Sequence, residues 1–286
     1  MSRAWYELAL ASASASPSVR LVASQSEHLG AAIAAALKAY PHTTVVAAGL
    51  SAGAPLGDSV GRSRSVVEQG PAPELPPATF RWPAGVVPAL TSLEGLVGAA
   101  PGYVVHREEG PMVVIEAQVQ ADAIEDVFLG WVERLPVADN LEVRVAHDFD
   151  GPDADASTEV WLTPRIGVKQ VLRFLDAHDR ELTDNGHVEL AIYLRQERST
   201  LRLTEHKTLL WTSLDPETER RVGETLASLG VRQVSSLTKI SSVAHFHTRS
   251  ASSKDRAALT RYLGKQRMRV VDRLDRQGRS RSRPTP

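Results

Sequence analysis

The sequence predicts an α+β protein made of two tandem ferredoxin-like lobes, each with the split βαβ arrangement. In residues 158–248, strand-like and helix-like apolar periods follow one another in the order strand, helix, strand, strand, helix, strand. The first half of the chain shows a looser form of this order. It is interrupted at residues 51–102, where 8 prolines and 8 glycines favour a long loop or insertion.

These patterns divide the chain into four parts. We predict a first lobe at 1–150, which contains the insertion, and a linker at 151–157. A second lobe follows at 158–250, and a basic helix with a tail occupies 251–286.

The second lobe begins with a short strand at 159–162. Thr163 and Pro164 then supply an N-cap and a proline for the first helical turn, and Gly186 ends that helix. Strict alternation of apolar residues at 188–194 predicts a half-buried strand.

The second half of this lobe repeats the same signals. A strand at 200–211 is expected to pair back on its predecessor. Asp215 and Pro216 start the second helix, Gly230 ends it, and the last strand lies within 234–248.

The elements of the first lobe follow from the same rules. Ser24 and Glu27 have the spacing of a capping box before an apolar helical face at 29–40. The other expected elements are strands at 5–10 and 43–48, a hairpin at 103–106 and 112–119, a helix at 124–135 and a strand at 141–149.

One face of the second sheet is expected to be free of helices, because right-handed crossovers place both helices on the same side. The alternation within the strands then assigns side chains to this open face, which we predict to be the binding surface. Its members are Trp161, Tyr193, Arg195, Arg202, His206, His245 and His247.

The C-terminal segment is strongly basic. Residues 254–283 contain 11 Lys/Arg and 3 Asp, a net charge of +8, and the remaining 22 Lys/Arg and 31 Asp/Glu give −9. Such a segment either folds back on the acidic body or binds an acidic partner such as nucleic acid, through Arg261, Lys265, Arg267 and Arg269. Helical spacing of apolar residues predicts that part of it docks as a helix, and 278–286 is expected to be disordered. The apolar residues are Leu259, Tyr262, Leu263, Val270 and Leu274.

Three groups of residues are tested as ligand sites. His245 and His247 share one face of a strand and could bind Zn²⁺, but the expected strand order places His206 about 10 Å away, too far to complete the site. We therefore predict surface histidines and no bound metal. The loop with Asp148, Asp150, Asp153 and Asp155 lacks the spacing of an EF-hand, and 53–63 lacks that of a P-loop.

Two short motifs of the form His-x-Thr-x start at His42 and His206. Two such motifs in two α+β lobes resemble the 2H phosphoesterases. The resemblance implies that the two histidines act as general acid and base on a phosphodiester, with hydroxyl groups of Thr44 and Thr208 holding phosphate oxygens.

Composition excludes some classes of function. Without cysteine the chain has no disulfide and no thiolate chemistry. It also contains no run of about 18 apolar residues, so we expect no membrane-spanning helix. We predict a cytoplasmic, non-catalytic binding or adaptor protein that contacts a protein partner or itself, without a cofactor and without a membrane. The alternatives are a nucleic-acid-associated protein that uses the tail and the open sheet face, and a 2H-like phosphodiesterase.

Overall fold

The computed structural model describes residues 3–12, 19–53, 58–59, 65–71, 80–107, 110–149 and 157–275. Within these ranges the protein is a mixed α+β molecule, which is the class that the sequence predicts. It has six α-helices and three antiparallel sheets in the described residues. No helix in the described part of the chain is long and apolar enough to cross a membrane.

The elements are named in chain order. In the first part they are β1 (Ala4–Ser12), β2 (Val19–Ser26), α1 (Leu29–Ala39), β3 (Thr43–Leu50), β4 (Asp58–Ser59), β5 (Val66–Pro71), β6 (Val86–Pro88), a 3₁₀ helix (Leu90–Leu96), β7 (Gly102–Arg107), β8 (Val113–Gln118), α2 (Ile124–Glu133) and β9 (Asn140–Val145). In the second part they are β10 (Thr158–Leu162), α3 (Val168–Asp176), α4 (Asp179–Leu182), β11 (Val188–Leu194), β12 (Ser199–Leu203), β13 (Leu209–Ser213), α5 (Thr218–Ser228), a 3₁₀ helix (Ile240–Ser242), β14 (His245–His247), α6 (Arg256–Lys265) and β15 (Arg269–Leu274).

The largest sheet has eight strands in the order β15-β10-β9-β11-β12-β13-β8-β7, and every neighbouring pair is antiparallel. Helices α2, α3, α5 and α6 pack against one face and form the main core with it. Two large rings, Trp131 on α2 and Trp211 on β13, stack in this core with centroids 6.1 Å apart. The sheet's other face carries the alternate side chains, many of them polar.

The first sheet has five strands in the order β3-β1-β2-β5-β4, with α1 packed against it. A third sheet consists only of β6 and β14. It adjoins the first sheet, because Ala48 on β3 forms an isolated bridge with Ala89, which directly follows β6.

Two tandem ferredoxin-like lobes are not confirmed. Strands from both halves of the chain share the eight-stranded sheet. The split βαβ unit β10–α3–β11 is present, but the strand between its parallel strands is β9 and not the expected 200–211. Strand β9 is buried along almost its whole length, which suits it to this central position.

Three local predictions are wrong for identifiable reasons. The expected strand 200–211 is broken by a tight turn between β12 and β13, in which Lys207 has φ +59°. Helix α3 starts at Val168 with Gly167 as its N-cap, and not after Thr163, whose hydroxyl instead accepts from the N–H of Leu141 on β9. The docked basic helix ends at Lys265, and Val270 and Leu274 lie on β15, because Arg267 with φ +63° reverses the chain.

Several other elements agree with the sequence. The hairpin of β7 and β8, helices α1, α2 and α5 and strands β1, β3 and β11 lie where periodicity places them. Strand β2, which pairs with β1, was not predicted. Residues 151–156 and 276–286, which include most of the linker and the expected disordered end, lie outside the described residues.

Candidate metal centre

Three histidines that are distant in sequence come together at one end of the sheets. His206 lies in the turn after β12, and His245 and His247 lie on β14. One ring nitrogen from each lies within 4.8 Å of the other two. The expected separation of about 10 Å for His206 is therefore wrong. It assumed that β14 belongs to the same sheet as β12, whereas β14 pairs with β6.

Backbone contacts hold β14 in this position. Thr248 N–H donates to the carbonyl of Gly85 at 2.8 Å, and Gly186 N–H donates to the carbonyl of Thr248 at 2.9 Å. The two glycine backbones approach so closely that a Cβ on Gly186 would lie 1.9 Å from the Gly85 carbonyl oxygen. Glycine at 186, which the sequence indicated as a helix end, is thus required for this crossing of chains.

The backbone fixes the tautomers of two of the rings. Nδ1 of His245 lies 2.8 Å from the carbonyl oxygen of Val243, and Nδ1 of His247 lies 2.5 Å from that of Gly186. A carbonyl oxygen only accepts, so each Nδ1 carries the hydrogen and each Nε2 presents a lone pair when the ring is neutral. The two Nε2 atoms face one another at 3.2 Å.

This separation matches the edge of a metal coordination tetrahedron. Zinc–nitrogen bonds of about 2.05 Å at tetrahedral angles put neighbouring ligand nitrogens about 3.3 Å apart. The ring centroids are also evenly spaced, at 4.8 Å for His206 and His245, 5.2 Å for His206 and His247 and 5.1 Å for His245 and His247.

The third ring has a carboxylate beside it. Oε1 of Glu205 lies 3.3 Å from Nδ1 of His206, a pairing that leaves Nε2 for a ligand, as in carboxylate–histidine–metal sites. Burial lowers the pKa of His206 and lowers that of His247 to about 4, against a smaller raising effect of the Gly186 carbonyl on His247. Neutral imidazole is the form that binds metal ions.

A cleft of about 360 Å³, lined mainly by polar and charged residues, adjoins the cluster on the helix-free face of the large sheet. His247 and Glu205 line both the cleft and the cluster. The other lining residues include Arg144, His147, Asp148, Thr158, Gly186, His187 and Glu189.

Charged groups in this cleft are paired. Nδ1 of His187 lies 3.2 Å from Asp148, and this hydrogen bond lowers the pKa of Asp148 to about 2. Burial raises the pKa of Glu189 to about 7, although Arg202 and Arg144 oppose the shift. Burial also acts to raise the pKa of Glu205, but hydrogen bonding to Glu189 and the nearby histidines lower it overall. Of the two carboxyls, Glu189 therefore has the higher pKa.

A buried lysine connects the turn that carries His206 to the loop that carries Gly186. Nζ of Lys207 donates to the carbonyls of Asn185 at 2.6 Å, Val188 at 3.1 Å and Leu182 at 3.4 Å. The side chain is only 1% exposed, and burial lowers its pKa to about 7. Sequence reasoning missed this lysine, since a single Lys in a turn gives no sign that it points inward.

The predicted open face is only partly assembled. Tyr193 and Arg202 do lie on the helix-free face, where Tyr193 donates to Glu142 at 2.7 Å and Arg202 lies 3.1 Å from Glu189. Trp161 lies on the opposite, helix-covered face, since it pairs with Val143 of β9. Arg195 lies in the turn after β11, where its backbone N–H donates to Asp139.

The remaining candidates do not belong to the histidine cluster. His42, with φ +67°, and Thr44 are exposed at the start of β3. Thr208 donates its backbone N–H to the Thr204 hydroxyl within the tight turn. The four basic residues Arg261, Lys265, Arg267 and Arg269 are exposed on α6, the following turn and β15.

Comparison of the chain with protein-family models gives no match. Searches of curated proteins and of solved structures likewise find no similar protein.

Proposed function

We propose that this protein is a metalloprotein that binds one divalent transition-metal ion, of the zinc class, through Nε2 of His206, His245 and His247. The observation that supports it most directly is the pair of Nε2 atoms facing one another at 3.2 Å. Two lone pairs at this distance repel each other, and a metal ion between them would accept a coordinate bond from each nitrogen. The three histidines then supply the nitrogen ligands that zinc prefers.

Three protein ligands leave a fourth position for water, which is the arrangement of catalytic zinc sites rather than closed structural ones. A metal ion lowers the pKa of such a water to near 7 and so supplies a hydroxide at neutral pH. The adjoining cleft has room for a small polar substrate. We therefore propose hydrolysis as the class of reaction.

The other proposals have less support. A 2H-like phosphodiesterase needs His42 beside His206, and the histidines that lie beside His206 are His245 and His247. A non-catalytic adaptor that contacts a protein partner or itself, in the cytoplasm, stays a prediction that no contact in the described residues favours over the metal site.

Metal titration tests the proposal. Chelator-treated protein is titrated with Zn²⁺ by calorimetry, and bound metal is counted by mass spectrometry. We expect one equivalent, and we expect His206→Ala, His245→Ala and His247→Ala each to weaken binding by at least about tenfold, since even residues that only support a ligand contribute that much.

His106→Ala is the matched control, because His106 is an exposed histidine on β7 outside the cluster. It should bind zinc as the unmodified chain does. Failure of the unmodified chain to bind one equivalent, as expected if the two rings share a proton instead, would overturn the proposal. Equal losses in His106→Ala and His247→Ala would do the same.

A further inference from the structure

The cleft beside the histidine cluster carries an excess of negative charge. Of the described residues that line it, four have carboxyl groups and only Arg144 is a Lys or Arg, so the formal charge is 1 − 4 = −3. The four carboxyl groups belong to Asp148, Glu189, Glu205 and Asp275. A ligand that enters the cleft therefore meets a predominantly negative wall.

The guanidinium groups nearest the cleft already have partners. Nε of Arg144 donates to Glu142 at 2.6 Å, and Nη1 of Arg144 lies 3.2 Å from Glu189. Nη1 of Arg256, which is not among the lining residues, donates to the carbonyl of Ala146 at 3.0 Å. An anionic ligand would therefore have to displace a carboxylate from Arg144.

Two of the carboxylates that line the cleft are substantially exposed. The exposed fraction is 44% for the side chain of Asp148 and 39% for that of Glu205. Asp148 accepts a hydrogen bond from Nδ1 of His187, and this bond lowers the pKa of Asp148 to about 2. An ionised carboxylate has about four acceptor positions, so Asp148 keeps acceptor capacity for a ligand.

The same hydrogen bond fixes the tautomer of His187. Nδ1 donates to the carboxylate, so Nε2 carries a lone pair when the ring is neutral. The side chain is only 13% exposed, yet its Nε2 has no hydrogen-bond partner in the described residues. Because His187 lines the cleft, this lone pair can accept from a donor group of a bound ligand.

We propose that the substrate of the metal site is a small molecule that carries a protonated primary amine a few atoms from the bond that is hydrolysed. The ammonium group donates to Asp148 and to Nε2 of His187. An alkylammonium has three N–H donors and no acceptor, so it complements these neighbours, whereas a carboxylate or a phosphate does not. The inference rests on the proposed function, because Glu205 and His247 place this cleft beside the metal centre.

Hydroxamic acids with different tails test this substrate class, because the hydroxamate group chelates zinc and the tail then samples the cleft. The tails have three to six carbons and end in a methyl, an ammonium or a carboxylate group. Calorimetry measures their affinity for the full chain loaded with one equivalent of Zn²⁺. At the best tail length we expect the ammonium compound to bind about tenfold tighter than the methyl compound, as one hydrogen bond to a charged group contributes. The carboxylate compound should bind most weakly.

Two variants test the proposed partners of the amine. Asp148→Asn and His187→Phe should each remove most of the preference for the ammonium tail, while one zinc ion still binds and the affinity for the methyl tail is unchanged. Asp126→Asn is the matched control, because Asp126 is an exposed carboxylate on α2, and it should keep the full preference. Circular dichroism confirms that each variant is folded.

The outcomes separate this inference from the metal site. If one zinc ion binds but the three tails bind equally, or the carboxylate tail binds best, the substrate class is wrong and the metal site stands. Equal losses of the preference in Asp126→Asn and Asp148→Asn would have the same meaning. A second equivalent of zinc that Asp148→Asn removes would assign the cleft to a metal ion and also overturn the inference.

Two further results would reach the proposed function as well. If the zinc-loaded chain binds none of the hydroxamic acids, the metal ion is not open to the cleft, and both the substrate class and the proposed hydrolysis fail while zinc binding stands. If the unmodified chain binds no zinc, the metal site itself fails.

Discussion

At the scale of single residues, Lys207 shows how the site is fixed. Its backbone has φ +59°, a conformation that is costly for a residue with a side chain. Its ammonium group is completely surrounded by protein, yet it has three carbonyl partners. Those bonds compensate for removing the group from water and join the turn of His206 to the loop of Gly186.

We predict that Lys207→Met lowers the free energy of unfolding by about 3 kcal/mol, because methionine fills a similar volume but removes all three hydrogen bonds that the buried amine donates to carbonyls. Urea unfolding followed by circular dichroism measures this difference. Lys38→Met is the control, since Lys38 is exposed on α1, and it should change stability by less than about 0.5 kcal/mol. Equal stability of the two variants would show that the three hydrogen bonds contribute nothing net.

At the scale of elements, local sequence patterns predict the helices and hairpins that local interactions determine. Helix α1 and the hairpin of β7 and β8 follow from periodicity and turns, and the structure has both. Strand β14 could not be placed in this way, because a strand of three residues shows too little periodicity to indicate which strand it pairs with. Its pairing with β6 joins residues more than 150 positions apart, so no spacing rule could bring His245 and His247 to His206.

Register explains the other failures. Alternation within the strands and the right-handed crossover rule predict Trp161 on the open face. In the structure β10 pairs with β9. Trp161 lies opposite Val143, whose side chain faces the core, and so Trp161 faces the core as well. Alternation predicts which side chains share a face, but only the neighbouring strand decides which face is covered.

The crossing of the loops that contain Gly85 and Gly186 is an element-scale feature that can be tested. Gly186→Ala would place a methyl group 1.9 Å from the Gly85 carbonyl oxygen, so the two backbones must separate and the Gly186 carbonyl must move from His247. We predict a loss of about 1–3 kcal/mol in the free energy of unfolding and weaker zinc binding. Gly53→Ala, where nothing lies within 4 Å of the added methyl, should leave both quantities unchanged, and a variant at 186 that matches it would contradict this account.

At the scale of the whole molecule, the two faces of the large sheet differ. The metal cluster and its cleft lie at the helix-free face, where Arg144 and Glu189 point, and α2, α3, α5 and α6 cover the opposite face. The cluster also lies where separate sheets meet. His206 lies in the turn that joins β12 and β13 of the eight-stranded sheet, whereas His245 and His247 belong to the sheet of β14 and β6, which adjoins the five-stranded one.

A metal ion bound at this junction would cross-link the sheets, and this predicts a global effect. At a zinc concentration of about 100 times the dissociation constant, binding to the folded state alone adds about 2.7 kcal/mol to the free energy of unfolding. That gain raises Tm by roughly 5–10 °C for a chain of this size. Calorimetric scans with and without Zn²⁺ measure the shift, which His206→Ala should abolish.

Hydrogen exchange locates the effect within the molecule. Because the ion joins two sheets, zinc should slow exchange together in β14, in β6 and in the turn at residues 204–208, while α1 of the five-stranded sheet changes little. Protection confined to β14 would mean that the metal is held by His245 and His247 alone. In that case His206→Ala would retain most of the rise in Tm, and the three-ligand site would have to be given up.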